Sequence, residues 1–68
     1  MVNIDELKKT IRQNGETIDS LSRAIGMDDS TFYRKMKANG GAFTLAEIDE
    51  IKKALHLDRA KAEAIFFA

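Results

Sequence analysis

The chain has 68 residues, room for one domain, with 11 basic and 11 acidic side chains and a net charge of zero. It contains no cysteine, which excludes disulfides and thiolate metal sites, and no apolar run near the roughly 20 residues that a bilayer span needs. The even charge balance weighs against nucleic-acid binding, because such domains usually carry a basic excess.

Met1 to Glu6 is acidic and lacks the basic and apolar regions of a signal peptide, so a soluble intracellular protein is expected. Asn3, with Glu6 three residues on, predicts a capping box that opens a first helix. Ile4, Leu7 and Ile11 give it an apolar face at i, i+3, i+7, and Asn14-Gly15 ends it. Thr17 caps a second helix, with Ile18, Leu21 and Ile25 on one face and Gly26 as its stop. Asp28 caps a third helix, with Ser30 and Thr31 in its first turn and Phe32 and Met36 at i, i+4. That helix ends before Asn39-Gly40-Gly41.

Thr44 and Glu47 form the clearest capping box and open a fourth helix, which runs to about His56. Leu45, Ile48, Ile51 and Leu55 supply its apolar spacing. Asp58 caps a short fifth helix that runs into Ile65-Phe66-Phe67. No stretch alternates with period two over strand length. The expected class is therefore all-α, a compact five-helix domain over residues 1–68.

The informative segment is Thr17 to Lys37. A helix of about two turns, a short Gly26-Met27-Asp28 connection and a helix of about ten residues have the punctuation of a helix-turn-helix unit. Such a unit needs glycine in the turn (Gly26), a small side chain on the first helix (Ser22) and an apolar plug in the second (Phe32). Leu21, Ile25, Met27 and Met36 are expected around that plug.

The run from Thr17 through Ile25-Gly26-Met27 to Ser30-Thr31-Phe32-Tyr33-Arg34-Lys35-Met36 resembles the helix-turn-helix of the lambda-repressor/Cro-like (XRE) family of phage and bacterial regulators. The resemblance covers the whole chain, because that family also has five helices with the unit at helices two and three. The Phe43-Thr44-Leu45 entry to helix four and the Ile65-Phe66-Phe67 end look like small phage-type members.

The resemblance implies a sequence-specific transcriptional regulator that inserts helix three into the major groove of operator DNA, usually as a homodimer. It implies a bacterial cytoplasm or nucleoid as the setting. On it, Asp29, Ser30, Thr31 and Arg34 face base edges. Arg34 is the main reader, since a guanidinium bonds both acceptors of guanine. Tyr33, Lys35 and Lys37 reach phosphates, as do backbone amides beside Thr17. Tyr33 has an alternative role as a half-buried packing residue.

Adjacent helical residues point about 100° apart. One of Phe66 and Phe67 therefore faces away from the core and suits a dimer interface. Three departures from the family pattern stand out: Ser22 replaces the usual alanine, Ile18 a frequent phosphate-binding glutamine, and Asp28-Asp29 is acidic where the helix meets the groove.

The alternative function is a protein-interaction module of the same fold, antirepressor- or antitoxin-like, favoured by the zero net charge, Ile18 and Asp28-Asp29. An enzyme is not expected, and neither a cofactor nor a metal is implied. His56 is the lone histidine, placed at a helix end where a cation suits the dipole. Gly40-Gly41 lacks the strand and lysine of a phosphate loop.

The charge balance is uneven along the chain. Arg34, Lys35 and Lys37 crowd one end of the proposed reading helix. Asp5, Glu6, Asp19, Asp28, Asp29, Glu47 and Asp58 stand at helix starts, where they serve caps and dipoles. A small basic footprint is expected, with weak non-specific affinity for DNA.

Overall fold

Among the described residues five helices begin, each next to a residue at its N-cap position: α1 (Ile4–Gln13), α2 (Ile18–Ala24), α3 (Asp29–Lys37), α4 (Leu45–Ala54) and α5 (Arg59–Phe66). The computed structural model describes residues 2–38 and 41–67, and no strand occurs among them. Side-chain oxygens of Asn3, Thr17, Thr44 and Asp58 each accept the backbone N–H three residues on, at 2.8–3.1 Å. Each satisfies one of the donors that a helix start leaves free.

Two caps differ from expectation. Asp28 occupies the N-cap of α3, but its side chain bonds no helix N–H. Its carboxylate accepts the hydroxyl of Ser30 instead. At α1 the box is half formed, because Glu6 accepts from Lys61 at 3.2 Å rather than turning back to Asn3. The Asn3 N–H donates to the Ile65 carbonyl at 2.6 Å. Both substitute contacts tie the start of α1 to α5.

Three helices end alike. Gly15, Gly26 and His56 follow the C-caps of α1, α2 and α4 with φ of 71°, 73° and 53°. In each case that residue's N–H donates to the carbonyl three residues back and the next N–H to the carbonyl five back, as in Gly26 to Arg23 and Met27 to Ser22. At Gly26 an added Cβ would meet nothing within 4 Å, so the backbone angle alone asks for glycine. His56 takes the same angle without that freedom, at a cost of roughly 1–2 kcal/mol. Helix α4 thus stops at Ala54, short of His56. The Asn39-Gly40 part of the expected α3 stop lies outside the described residues. Gly41 donates to the Ala38 carbonyl at 3.1 Å.

α2 packs on α3 and α4, and α1 on α5. Their apolar faces meet in one cluster of Leu7, Ile11, Leu21, Phe32, Met36, Phe43, Ile48, Ile51, Leu55, Ile65 and Phe66. Leu45, expected on this face, is 75% exposed. At 100° per residue it stands roughly 85° from the centre of the Ile48–Ile51–Leu55 face, at the helix's first position. The buried hydroxyls of Thr10 and Ser22 donate to the carbonyls of Glu6 and Asp19 at 2.8 and 3.0 Å. Among the described residues no buried side-chain polar atom lacks a partner. None of their helices is long and apolar enough to cross a membrane.

Candidate nucleic-acid interface

The face that α3 presents follows from the face it buries. Phe32 and Met36 are one turn apart and both buried, so they fix the inward side. Ser30, Arg34 and Lys37 then fall opposite, at i, i+4, i+7, and all three are exposed. Asp29 is exposed in the first turn, and Thr31 is half-buried. Of the expected base contacts, Asp29, Ser30 and Arg34 are therefore open to a partner. The Ser30 hydroxyl hydrogen is committed to Asp28. What Ser30 offers outward is acceptor capacity.

The seat beneath this ridge comes from the residues expected to form it. Leu21, Ser22, Phe32 and Met36 are buried, and Ile25 and Met27 pack partly buried against them. Phe32 meets Phe43 edge to face, with centroids 5.2 Å apart and planes at 64°. Phe43 leads into α4, so the same contact anchors α3 to the next helix.

The two flanks of α3 differ in charge. On one side Lys35 is turned away from any outside partner. Its ammonium donates to both Glu47 carboxylate oxygens, at 2.6 and 2.7 Å, and its side chain is only 14% exposed. Glu47 also accepts the Thr44 N–H at 2.9 Å while its own N–H donates to Thr44 Oγ1. One carboxylate thus closes the cap of α4 and clips α3 to it. The expectation that Lys35 reaches phosphate is corrected on this ground: its charge is already neutralised. Sequence spacing gave no sign of a pair twelve residues apart.

These bonds have a pH signature. The Lys35 ammonium, and after it the Thr44 N–H, hold the Glu47 carboxyl below its ordinary value of 4.5, against a smaller opposing effect of burial. A carboxylate depressed in the folded state contributes stability above its unfolded value and loses it as pH falls through the folded one. We expect Glu47→Gln to lower the melting temperature at pH 7, with the gap to the parent narrowing as pH falls from 4.5 through the depressed folded-state value. A gap that stays constant in thermal melts across that range would show that the ion pair contributes nothing.

On the other flank, Tyr33 is 48% exposed, and it lines a shallow depression with Ile4, Lys8, Ile18 and Lys37. Tyr33 is accordingly both a packing residue and an accessible phenol. Lys8 and Ile18 also border the adjoining hollow, with Arg12, Thr17 and Glu16. Thr17 is exposed, with Oγ1 accepting from the Ser20 N–H. Lys8 and Arg12 did not enter the sequence-based site, although their i, i+4 spacing on α1 was visible there.

Near the start of α3 the surface turns acidic. Asp19, Asp28 and Asp29 line one depression together with a single cation, Arg23, and with Ser22 and Met27. The expected dimer pair divides between core and surface. Phe66 is 2% exposed and belongs to the core, so it is not an interface residue, whereas Phe67 is 59% exposed. No family model matches the chain, nor does any curated protein or solved structure.

Proposed function

We propose that the chain is a sequence-specific DNA-binding regulator of the Cro or repressor type, with a lambda-repressor-like helix-turn-helix formed by α2 and α3. The observation that carries the reading is the outward ridge of α3. Ser30, Arg34 and Lys37 stand in line on a helix seated by Phe32, and neither cation is in any of the described ion pairs. Nine residues make a rod about 13 Å long. With its side chains it is about 10–12 Å across, which fits a major groove about 12 Å wide. Arg34 then reads bases, Lys37 and Tyr33 hold phosphate, and Ser30, Thr31 and Asp29 complete the base contacts.

The reading includes a homodimer on DNA, in a bacterial cytoplasm, with Phe67 at the end of α5 as an apolar contact. It assigns the chain no catalysis and no cofactor. Two-fold pairing doubles the few phosphate contacts that a small, neutral domain makes alone. The test is selection of bound duplexes from a random pool, followed by titration at low salt. A short enriched motif is expected, repeated with two-fold symmetry. Absence of binding at tens of micromolar would leave the alternative, a protein-interaction module. The neutralised Lys35 and the acidic surface of Asp19, Asp28 and Asp29 favour that alternative.

A further inference from the structure

The cationic surface does not stop at α3. We propose that α1 supplies a second part of the DNA interface, with Lys8 and Arg12 continuing the basic strip of Lys37 and holding backbone phosphates beside the groove that α3 enters. This inference rests on the DNA-binding reading above, and it assigns a role to a helix outside the two that form the reading unit.

The placement comes from α1 itself. Leu7 and Ile11 are buried one turn apart, which puts Lys8 and Arg12 together on one adjoining flank. Glu6 falls on the opposite flank and is taken by Lys61 of α5. The flank bearing Lys8 and Arg12 faces the start of α2 and the side of α3. Lys8 borders the same depression as Tyr33 and Lys37, and it borders the same hollow as Arg12 and Thr17. Lys37, Lys8 and Arg12 therefore line one continuous surface, with the Tyr33 phenol among them.

Nothing described on the protein neutralises this strip. Lys8, Arg12 and Lys37 take part in none of the described ion pairs. Glu16 borders the same hollow as Lys8 and Arg12, and its carboxylate accepts the Ser20 hydroxyl at 2.6 Å. Asp5, a turn before Lys8, forms no described ion pair either. By contrast, Lys35, Lys53, Arg59 and Lys61 each have a carboxylate partner. A chain with zero net charge thus keeps an open row of cations next to its proposed reading helix.

A row of open cations fits a row of fixed anions. Lys8 and Arg12 stand about 5–6 Å apart at their Cβ atoms. Phosphates on one DNA strand recur about every 3.4 Å of axis, so two flexible side chains reach neighbouring or next-neighbouring charges. The contact carries no base information. It adds affinity, orientation and salt dependence.

The experiment is a salt titration of the full chain against a fluorescent random duplex, read by anisotropy. Lys8→Gln/Arg12→Gln is expected to flatten the slope of log affinity against log salt by about 1.8, or about 0.9 for each single variant. The double variant then loses about twelvefold less affinity than the parent between 50 and 200 mM salt. The charge-preserving Lys8→Arg/Arg12→Lys should keep the parental slope, as should Lys53→Gln/Arg59→Gln outside the strip. Melting curves of each variant check that the fold is intact. An unchanged slope in the glutamine variants, with Arg34→Ala still altering sequence preference, overturns the strip and leaves the DNA-binding reading standing. A flattened slope with no effect of Arg34→Ala on preference keeps the strip and overturns Arg34 as the base reader. No binding of the parent to any duplex overturns both.

Discussion

Phe32→Ala is expected to leave the chain largely unfolded at 25 °C. Phe32 is fully buried between α2 and α3, against the cluster that holds Leu21 and Met36, with its ring edge-on to Phe43. Truncating a buried phenylalanine costs about 3–5 kcal/mol, from lost transfer energy and the cavity left behind. A 68-residue domain without disulfides has a total of about 3–5 kcal/mol to lose. The helical circular dichroism signal should fall accordingly, with no cooperative urea transition at room temperature. Phe67→Ala removes the same side chain from an exposed position and should shift stability by no more than about 0.5 kcal/mol. If Phe32→Ala kept a cooperative transition near the parental midpoint, Phe32 would not be the centre of the core. The consequence reaches the proposed interface, because the ring that seats α3 lies two residues before Arg34.

How much of this was legible depended on the range of the interaction. Local signals carried well. Asn3, Thr17, Thr44 and Asp58 cap because a short polar side chain reaches a free N–H three residues on. Gly15 and Gly26 end helices because they accept a positive φ. Periodicity placed Phe32, Met36 and Leu21 inward, since burial on a helix repeats with the turn. Long-range pairings did not show. Glu6 has the spacing of a capping box, yet Lys61, 55 residues away, takes it. Lys35 belongs to a basic run, yet Glu47 neutralises it across a helix boundary. Lys8 and Arg12 were readable as neighbours, but only the packing of α1 beside α2 and α3 puts them in line with Lys37. Spacing within a helix shows which face is buried. It does not show which element covers that face or which charges meet across it.

Arg34→Ala separates base reading from simple attraction. Arg34 is exposed on the α3 ridge between Ser30 and Lys37, with no carboxylate among its described ion-pair partners. Its guanidinium is thus free to take a planar partner, and the two acceptors on guanine's major-groove edge match its fork. Loss of such a pair costs about 1–3 kcal/mol, a fall of roughly 5- to 150-fold in affinity for the selected site. Random duplex offers no matched guanine, so there the loss is limited to one charge's contribution. The ratio of specific to random affinity should therefore drop, and selection with the variant should show relaxed preference at one position. Lys37→Ala provides the contrast. It should weaken both duplexes alike and flatten the salt slope by about 0.9, as expected for a phosphate contact. Lys35→Ala should leave the slope where it was, because Glu47 already holds that charge. Equal losses on selected and random DNA for Arg34→Ala would mean that Arg34 holds phosphate and that α3 reads sequence through other side chains or not at all.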